Sequence, residues 1–348
     1  MTASYEASDP VPGSGLLSPA TGSHLFTSEG AGQTCNFTVY DVAGNSNSAT
    51  IDNVNIDKTP PATVKTLDGL IGNDSWYVTD VKVTLTATDY PEGGSGVKEI
   101  HYVLNGDETV VSDNPAKFTI TDEGTNTLEH WAVDKADNVE KAATQPIKMD
   151  KTPPTITINS PGDGAVYILN QVVLADWSAE DSVSGLASAT GTKANDEAID
   201  TATVGEKTFT VTATDIAGNS DTKTITYYVH YGFLGLLPPY QAPPRAFKIT
   251  SSIPLKWQYT DASGKPVDSS SANPSVVIKQ WVLGDTPSYG DPITLNDPGS
   301  SGLRYDTLTM TWQYNWQTKG LTAGTYGIWV TSGQTGQTNG PFEIQLRK

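Results

Sequence analysis

The chain has 348 residues and a net charge of −18, with 39 acidic residues against 21 basic ones. A surface this negative repels nucleic acid and anionic lipid, so neither is an expected partner, and it attracts divalent cations. The single cysteine excludes a disulfide within the chain, and no apolar run is long enough to span a membrane.

The first segment, residues 1–56, has two aspartate motifs and one alternating stretch. The motifs are ASDPVPGSGL, with Asp9, and YDVAGNS, with Asp41. In TCNFTVYD, Cys35, Phe37 and Val39 occupy alternate positions, which is typical of a half-buried strand, so we expect Cys35 to pack in a core. Compared with the repeats that follow, this segment lacks an opening strand. We expect that Met1 is an artificial start or that the strand comes from elsewhere.

The motif Asp-Lys-Thr-Pro-Pro, written DKTPP below, occurs at Asp57 and again at Asp150, at a domain-sized interval. Two further motifs follow each copy in the same order. The first ends in Ser-Gly and begins at Asp89 and Asp181; the second resembles DxAGN and begins at Asp134 and Asp215. Three landmarks in a fixed order predict repeated domains.

Between the landmarks, apolar residues alternate with threonine. One such face is formed by Val81, Val83, Leu85 and Ala87, and another by Phe209, Val211 and Ala213. Alternation with period two, in units of about 90 residues with frequent turn signals, predicts immunoglobulin-like sandwiches. The expected fold class is all-β, with tandem immunoglobulin-like β-sandwich domains in an elongated array.

The DxAGN and DKTPP motifs resemble those of bacterial Ig-like repeats from large secreted and surface proteins. The stretch GSGVKEIHYVLNG…AKFTITDEGTNTLEHWAVDKADN also resembles the OmpL47-type repeat. It departs from that pattern at Asp137, where glycine is usual, and at His130, in an inward-facing position. The resemblance covers residues 1 to about 230 and implies an extracellular array of repeats.

Two prolines in a row hold the backbone extended, so each DKTPP predicts a stiff joint between sandwiches. In a seven-stranded sandwich, the entering chain and two of the loops meet at one pole. We therefore expect Asp57, Asp89 and Asp134 to converge, and Asp150, Asp181 and Asp215 to do the same. Calcium suits such loop carboxylates, and we expect Ca²⁺ at these joints. The alternative is that each aspartate only caps its own turn through hydrogen bonds.

After residue 231 the repeat stops, and prolines 238, 239, 243 and 244 predict a linker over residues 232–244. Residues 245–348 resemble the C-terminal PxKF-type domain of secreted bacterial and archaeal surface proteins, through FKITSSIPLKWQYTDASGKPV and LRYDTLTMTWQYNWQTKGLTAGTYGIWV. Trp257 stands where that motif usually has phenylalanine. Within it, Trp312, Tyr314 and Trp316 alternate on one face of a strand. That face is either a platform for sugar rings or the inner face of a sandwich.

No catalytic motif is present. The histidines, at 24, 101, 130 and 230, lack metal-ligand spacing, and carboxylates that recur in each repeat indicate structure rather than acid–base catalysis. We therefore expect no enzyme, no catalytic residue and no cofactor apart from Ca²⁺.

The predicted domains are a partial Ig-like repeat (1–56), an OmpL47-like repeat (57–149), an Ig-like repeat (150–231), the linker (232–244) and the PxKF-type domain (245–348). The expected function is that of a secreted or cell-surface stalk, adhesin, or filament or surface-layer subunit. Its expected partners are other protein copies or surface components, bound through strand donation in one scheme. The alternative is a carbohydrate-binding accessory region of a secreted polysaccharide-degrading enzyme.

Overall fold

The computed structural model describes residues 1–90, 94–240, 246–249, 252–284, 286–293 and 302–348. Over these residues the chain is all-β, with 27 strands, two 3₁₀ turns (Asn73–Ser75 and Ser270–Ala272) and no α-helix. It divides into two compact units. Unit 1 is Met1–Pro153 with Asp181–Gly185 and Asp215–Asn219, and unit 2 is Pro154–Glu180, Leu186–Thr214 and Ser220–Lys348.

The first repeat, at the start of unit 1, has two sheets of two strands each, β1-β2 and β3-β4. The strands are β1 (Thr2–Glu6), β2 (Thr21–Leu25), β3 (Gly30–Tyr40) and β4 (Ser46–Ile56). Cys35, Phe37 and Val39 alternate with exposed residues as predicted, but all three are only half-buried. This face is therefore incompletely covered, and Cys35 is not a full core residue.

The second repeat, also in unit 1, packs a three-stranded sheet (β10-β7-β5) against a five-stranded one (β6-β12-β11-β8-β9). Its strands are β5 (Ala62–Asp68), β6 (Trp76–Tyr77), β7 (Val81–Thr88), β8 (Val97–Leu104), β9 (Asp107–Val111), β10 (Ala116–Ile120), β11 (Gly124–Asp134) and β12 (Ala143–Met149). The predicted inward face of β7 is buried throughout and meets Ile100, Leu128 and Ile147 from the facing sheet. Each such aliphatic side chain contributes about 1.5–3 kcal/mol on burial.

The third repeat, in unit 2, pairs β13 with β15 and forms a second sheet in the order β14-β18-β17-β16. Its strands are β13 (Thr155–Ser160), β14 (Val166–Ile168), β15 (Asp176–Glu180), β16 (Leu186–Gly191), β17 (Gly205–Asp215) and β18 (Ser220–His230). The alternation along β17 buries Phe209, Val211 and Ala213, as the sequence predicts. The strand ends at Asp215, within one of the loops that belong to unit 1.

The C-terminal part of unit 2 is a sandwich of two sheets, β19-β21-β25-β24 and β20-β27-β26-β22-β23. Its strands are β19 (Gly232–Leu236), β20 (Ala246–Lys248), β21 (Ser252–Thr260), β22 (Ser275–Val282), β23 (Ser288–Pro292), β24 (Arg304–Asp306), β25 (Thr311–Gln317), β26 (Gly324–Thr331) and β27 (Thr338–Arg347).

Part of the predicted linker over residues 232–244 is a strand. Residues 232–236 form β19, which pairs with β21, because Phe233 and Leu236 pack against the C-terminal core. Pro243 and Pro244, part of the predicted linker, lie outside the described residues.

One hydrophobic cluster runs through the third repeat and the C-terminal sandwich of unit 2. The ring centroids of Tyr231 and Tyr259 lie 4.9 Å apart, and the Tyr231 hydroxyl donates to Gln334 Oε1 at 3.0 Å. The backbone also connects the two parts, because Ala262 N donates to Leu169 O at 2.9 Å. The two sandwiches of unit 2 therefore share a core.

Candidate functional site: two aspartate clusters

The structure brings the six aspartates together in two groups of three. Asp57, Asp89 and Asp134 form cluster A, and Asp150, Asp181 and Asp215 form cluster B; in each, one ligand oxygen per residue lies within 4.8 Å of the others. All six residues belong to unit 1. In each cluster one aspartate comes from DKTPP, one from the Ser-Gly loop and one from the end of a long strand.

In cluster A, the DKTPP aspartate ties its own turn to the Ser-Gly loop. Asp57 Oδ1 accepts from Thr59 N at 3.2 Å, and Asp57 Oδ2 accepts from Ser95 N at 2.6 Å. The loop aspartate closes the same loop, since Asp89 Oδ2 accepts from Gly96 N at 2.6 Å. These bonds lower the pKa of Asp57, chiefly through Ser95.

The third carboxylate of cluster A holds the DxAGN-type turn. Asp134 Oδ1 accepts from Ala136 N and Asn138 N, at 2.9 and 2.8 Å, and Asp134 Oδ2 accepts from Asn138 Nδ2 at 2.7 Å. Ala136 N also donates to Ser95 Oγ at 3.1 Å, so this turn is bonded to the Ser-Gly loop.

Cluster B repeats these bonds with different residues. Asp150 accepts from Thr152 N and Ser184 N, each at 3.0 Å, and Asp181 Oδ1 accepts from Gly185 N at 2.7 Å. Asp215 binds the backbone and side-chain amides of Asn219, both at 2.8 Å, and Asn219 Nδ2 also donates to Asp150 O at 3.0 Å. Turn capping therefore operates in both clusters, and Asp57 and Asp150 in addition accept from the Ser-Gly loop.

The loop of cluster B also contacts the second repeat within unit 1. Asn73 N donates to Ala217 O at 2.8 Å. A Cβ on Gly72 would lie 2.1 Å from the same oxygen, so only glycine fits there. This contact fastens residues 215–219 to the 3₁₀ turn of the second repeat.

Three of the six carboxylates in the clusters are completely buried. Asp134, Asp150 and Asp215 are 0% exposed. Among the described residues, no basic side chain forms an ion pair with any of the six aspartates. Burying several carboxylates without a counter-charge is costly, and a bound cation would supply the positive charge that their N–H donors do not.

The donor set fits calcium as part of a coordination shell. With Ca–O bonds of about 2.3–2.6 Å, two oxygens on one ion lie up to about 5 Å apart, which the spacing of both clusters satisfies. In cluster A, Asp89 Oδ1 is buried and has no hydrogen-bond partner among the described residues. Gly94 leaves space beside the carboxylates, because a Cβ there would lie 2.8 Å from Asp89 Oδ2 and 3.3 Å from Asp57 Oδ2.

Two glutamates that the sequence analysis missed clamp the DKTPP backbone. Glu29 Oε1 accepts from Lys58 N at 2.6 Å, and the Thr59 hydroxyl donates to both Glu29 oxygens, at 3.0 and 2.9 Å. Glu123 makes the same bonds to Lys151 N, at 2.7 Å, and to the Thr152 hydroxyl, at 3.0 and 2.9 Å.

The lysine of DKTPP completes this clamp by reaching back to the chain just before the glutamate. Lys58 Nζ donates to Thr27 O at 2.7 Å, and Lys151 Nζ donates to Thr121 O at 2.9 Å. Asp, Lys and Thr of the motif thus each have a defined partner, and the two prolines follow.

A sequence signal for the clamp does exist. A Glu-Gly pair, Glu29-Gly30 or Glu123-Gly124, opens the long strand of the first and second repeats, and a DKTPP follows each repeat. The third repeat has Val204 before the corresponding Gly205, and no DKTPP follows it. The glutamate is therefore present only where there is a motif to clamp.

The proposed sugar platform is not on the surface. Trp312 and Tyr314 are each 7% exposed and Trp316 is 2% exposed, and all three belong to the core of unit 2. Trp312 Nε1 donates to Ser269 Oγ at 3.1 Å inside that core. A sugar ring cannot stack on these side chains as placed, so the inner-face alternative describes them correctly.

Within the described ranges, the two aspartate clusters are the only groups of three or more His, Cys, Asp or Glu side chains close enough to share a metal ion. No helix in the described part of the chain is long and apolar enough to cross a membrane.

No protein-family model matches the chain, and no curated protein matches it. The OmpL47-type and PxKF-type resemblances therefore remain predictions from the sequence motifs.

Solved structures that are similar include immunoglobulin, fibronectin(III)-like and cadherin domains. The fibronectin(III)-like modules of Clostridium thermocellum CbhA are 16% identical, with a TM-score of 0.25, over 48% of this chain and 94% of theirs. Sidekick-1 immunoglobulin domains 1–5 are 12% identical, with a TM-score of 0.34, over 99% of this chain and 73% of theirs. The N-terminal eight Ig domains of Down Syndrome Cell Adhesion Molecule are 13% identical, with a TM-score of 0.36, over 99% of this chain and 42% of theirs. At these identities the likeness concerns fold alone.

Proposed function

We propose that the chain is a non-catalytic, extracellular structural and interaction protein, acting as a surface stalk, an adhesin, or a filament or surface-layer subunit. The observation that carries this proposal is the twofold repetition of one joint: the DKTPP carboxylate bonded to a Ser-Gly loop, and the DKTPP backbone clamped by a glutamate. Residues that recur in this way serve the connection of successive domains. The sequence resemblance to repeats of secreted surface proteins supports the extracellular location.

We further propose that each aspartate cluster binds one Ca²⁺ ion, which neutralises the carboxylates and stiffens the joint. Three observations support this proposal: the 4.8 Å spacing and, within the described residues, the lack of a basic partner for the buried carboxylates and of a hydrogen-bond partner for Asp89 Oδ1. The loop ligands would come from Asp89 and Asp134 in cluster A and from Asp181 and Asp215 in cluster B. Asp57 and Asp150 would connect each ion to its DKTPP segment. The ion would add a fixed positive charge where hydrogen bonds alone leave excess negative charge.

Calcium titration of the intact chain tests this proposal. We expect two ions per chain by calorimetry, and one ion each for Asp57→Asn and Asp150→Asn, because each substitution removes one carboxylate from one cluster. Asp113→Asn, which changes an exposed aspartate outside both clusters, is the matched control and should bind two.

The thermal midpoint provides a second readout of the same proposal. At a free calcium concentration of about 100 times the dissociation constant, one site stabilises the fold by about 2.7 kcal/mol, so chelation should lower the midpoint by several degrees. No calcium binding together with an unchanged midpoint would leave the clusters as hydrogen-bonded caps and overturn the calcium proposal.

A further inference from the structure

The charge of the chain is unevenly distributed. Residues 1–244 contain 32 acidic and 12 basic residues, whereas residues 245–348 contain seven acidic and nine basic ones. The negative charge that repels anions therefore belongs to the repeats, and an anionic ligand meets no excess of negative charge in the C-terminal sandwich.

A cleft of about 610 Å³ lies on the outer face of the sheet β19-β21-β25-β24 of this sandwich. It is called the C-terminal cleft below, and Lys256, Arg304 and Gln313 are central to its lining. The three occupy paired positions on neighbouring strands, because Gln313 of β25 pairs with Lys256 of β21 and with Arg304 of β24. With strands about 4.8 Å apart, the two basic residues stand about 10 Å apart at the backbone. The register of the sheet therefore places two positive charges in one cleft.

The part of the chain that the structure describes does not use these two positive charges. Within it, Lys256 and Arg304 form no ion pair and no side-chain hydrogen bond. Asp306 also lines the cleft, but its oxygens accept from Leu308 N at 3.0 Å and from the Thr309 hydroxyl at 2.7 Å. These bonds, chiefly that of Thr309, lower the pKa of Asp306 and hold it in its own turn. The ammonium and guanidinium groups therefore remain available for an anion.

The rest of the lining suits a sugar ring better than a simple ion. Gln313 Nε2 donates to Asn315 Oδ1 at 2.8 Å, which leaves Gln313 Oε1 to accept from a ligand hydroxyl. Leu237 and Pro238 add a short apolar wall, against which the C–H groups of a ring can pack. The volume of the cleft also falls within the range of small-molecule sites, about 300–1,000 Å³.

The same lining disfavours a nucleic acid. Tyr305 is the aromatic residue of the cleft, and its ring packs against Trp312, with centroids 5.0 Å apart. Its hydroxyl donates to Asp268 Oδ1 at 3.1 Å, so the ring is held by the sandwich and is not a platform for a base. The acidic repeats also repel a long polyphosphate chain.

We propose that the C-terminal cleft binds a uronic acid residue of an acidic polysaccharide. The carboxylate of the sugar accepts from Lys256 Nζ and from the Arg304 guanidinium, which are the two unpaired cations of the cleft. A ring hydroxyl donates to Gln313 Oε1, and the ring packs against Leu237 and Pro238. This inference rests on the interaction role proposed above and names a ligand class for it.

Calorimetric titration of the intact chain with tetragalacturonate, in the presence of chelator, tests the proposal. We expect saturable binding at a single site. Fully methyl-esterified tetragalacturonate keeps the rings but loses the carboxylates, so it should bind at least about tenfold more weakly. Tetraglutamate, an acidic peptide, should also bind at least about tenfold more weakly, because it lacks the ring and the hydroxyls that meet the neutral part of the lining.

Matched variants locate the binding. Lys256→Gln and Arg304→Gln should each weaken tetragalacturonate binding about tenfold. Lys319→Gln removes one positive charge from an exposed position of the same sandwich outside the cleft, and it should leave binding unchanged. The thermal midpoints of all three variants should stay near that of the wild type, because each side chain lies outside the core.

Four results would each overturn the proposal: no binding of tetragalacturonate, equal binding of its methyl ester, equal binding of tetraglutamate, or an equal loss in Lys319→Gln. Because the titration contains chelator and its variants lie in the C-terminal sandwich, its failure is distinct from failure of calcium binding at clusters A and B.

Discussion

His130 is an inward-facing histidine in β11 of the second repeat. The alternation of β11 places His130 in a core position between Leu128 and Ala132. The side chain is 5% exposed, and its buried Nδ1 has no hydrogen-bond partner among the residues that the structure describes. Burial is the main cause that lowers the pKa of His130 below its ordinary value of 6.5, and the charge of Lys65 adds to that effect. The sequence predicted the inward position, but the missing partner depends on packing that only the fold shows.

The lowered pKa predicts an acid-sensitive second repeat. The unfolded chain takes up a proton on His130 near pH 6.5 and the folded chain only at lower pH, so stability decreases as the pH falls through 6.5. We expect the urea midpoint to drop between pH 7.5 and 5.5, and His130→Leu to reduce that drop. Burial also lowers the pKa of His230, in the third repeat. His230 therefore contributes to the drop that remains in His130→Leu. The exposed His24→Gln is the control, and an identical drop in wild type and His130→Leu would contradict the prediction.

For individual strands, the alternation of apolar and polar residues predicted the buried face where a strand is long and only one of its faces is buried. The buried faces of β7 and β17 are the ones that the sequence predicts, because apolar residues at every second position over several residues are typical of a half-buried strand. Strand β19 was missed because its five residues, GFLGL, include two glycines and lie next to prolines, so they show no usable period. The aspartate clusters could be predicted because their three motifs recur in the same order in each repeat. The glutamate clamp could not, because only the structure shows that the Glu-Gly pair contacts DKTPP.

The clamp predicts a local, measurable weakening when it is removed. Glu123→Ala takes away the acceptor for Lys151 N and the Thr152 hydroxyl, and we expect a loss of about 1 kcal/mol, since the glutamate is exposed. Hydrogen exchange at the Lys151 amide should accelerate markedly. Glu206→Ala, at the corresponding strand start of the third repeat where no clamp exists, is the matched control. Unchanged exchange at Lys151 would show that the clamp does not hold the joint.

At the scale of the whole molecule, tandem sandwiches were predicted and the structure is all-β throughout its described residues. The predicted separation of residues 150–231 from residues 245–348 by a linker did not anticipate the shared core of unit 2. Tyr231 and Tyr259 meet across that core, and β19 occupies part of the stretch assigned to the linker. A sequence pattern identifies faces within a domain, but it does not state which domains bury surface against each other.

The shared core predicts cooperative behaviour within unit 2. Tyr259, which is 0% exposed, contacts Tyr231, so Tyr259→Ala should cost about 3–5 kcal/mol and also lower protection in the third repeat. Hydrogen exchange of Phe209–Ala213 in β17 measures that effect. Tyr90→Ala, an exposed residue of unit 1, should leave these amides unchanged. Full protection of β17 in Tyr259→Ala would indicate that the two sandwiches unfold independently.

The grouping of Asp181–Gly185 and Asp215–Asn219 with unit 1 determines where the chain can be divided for recombinant expression. A fragment that starts at Pro154, the first residue of unit 2, would lack Asp150. Ser184 N would then lose its carboxylate acceptor, and Asn219 Nδ2 would lose its carbonyl acceptor. The third sandwich should therefore be produced from Asp150 onward.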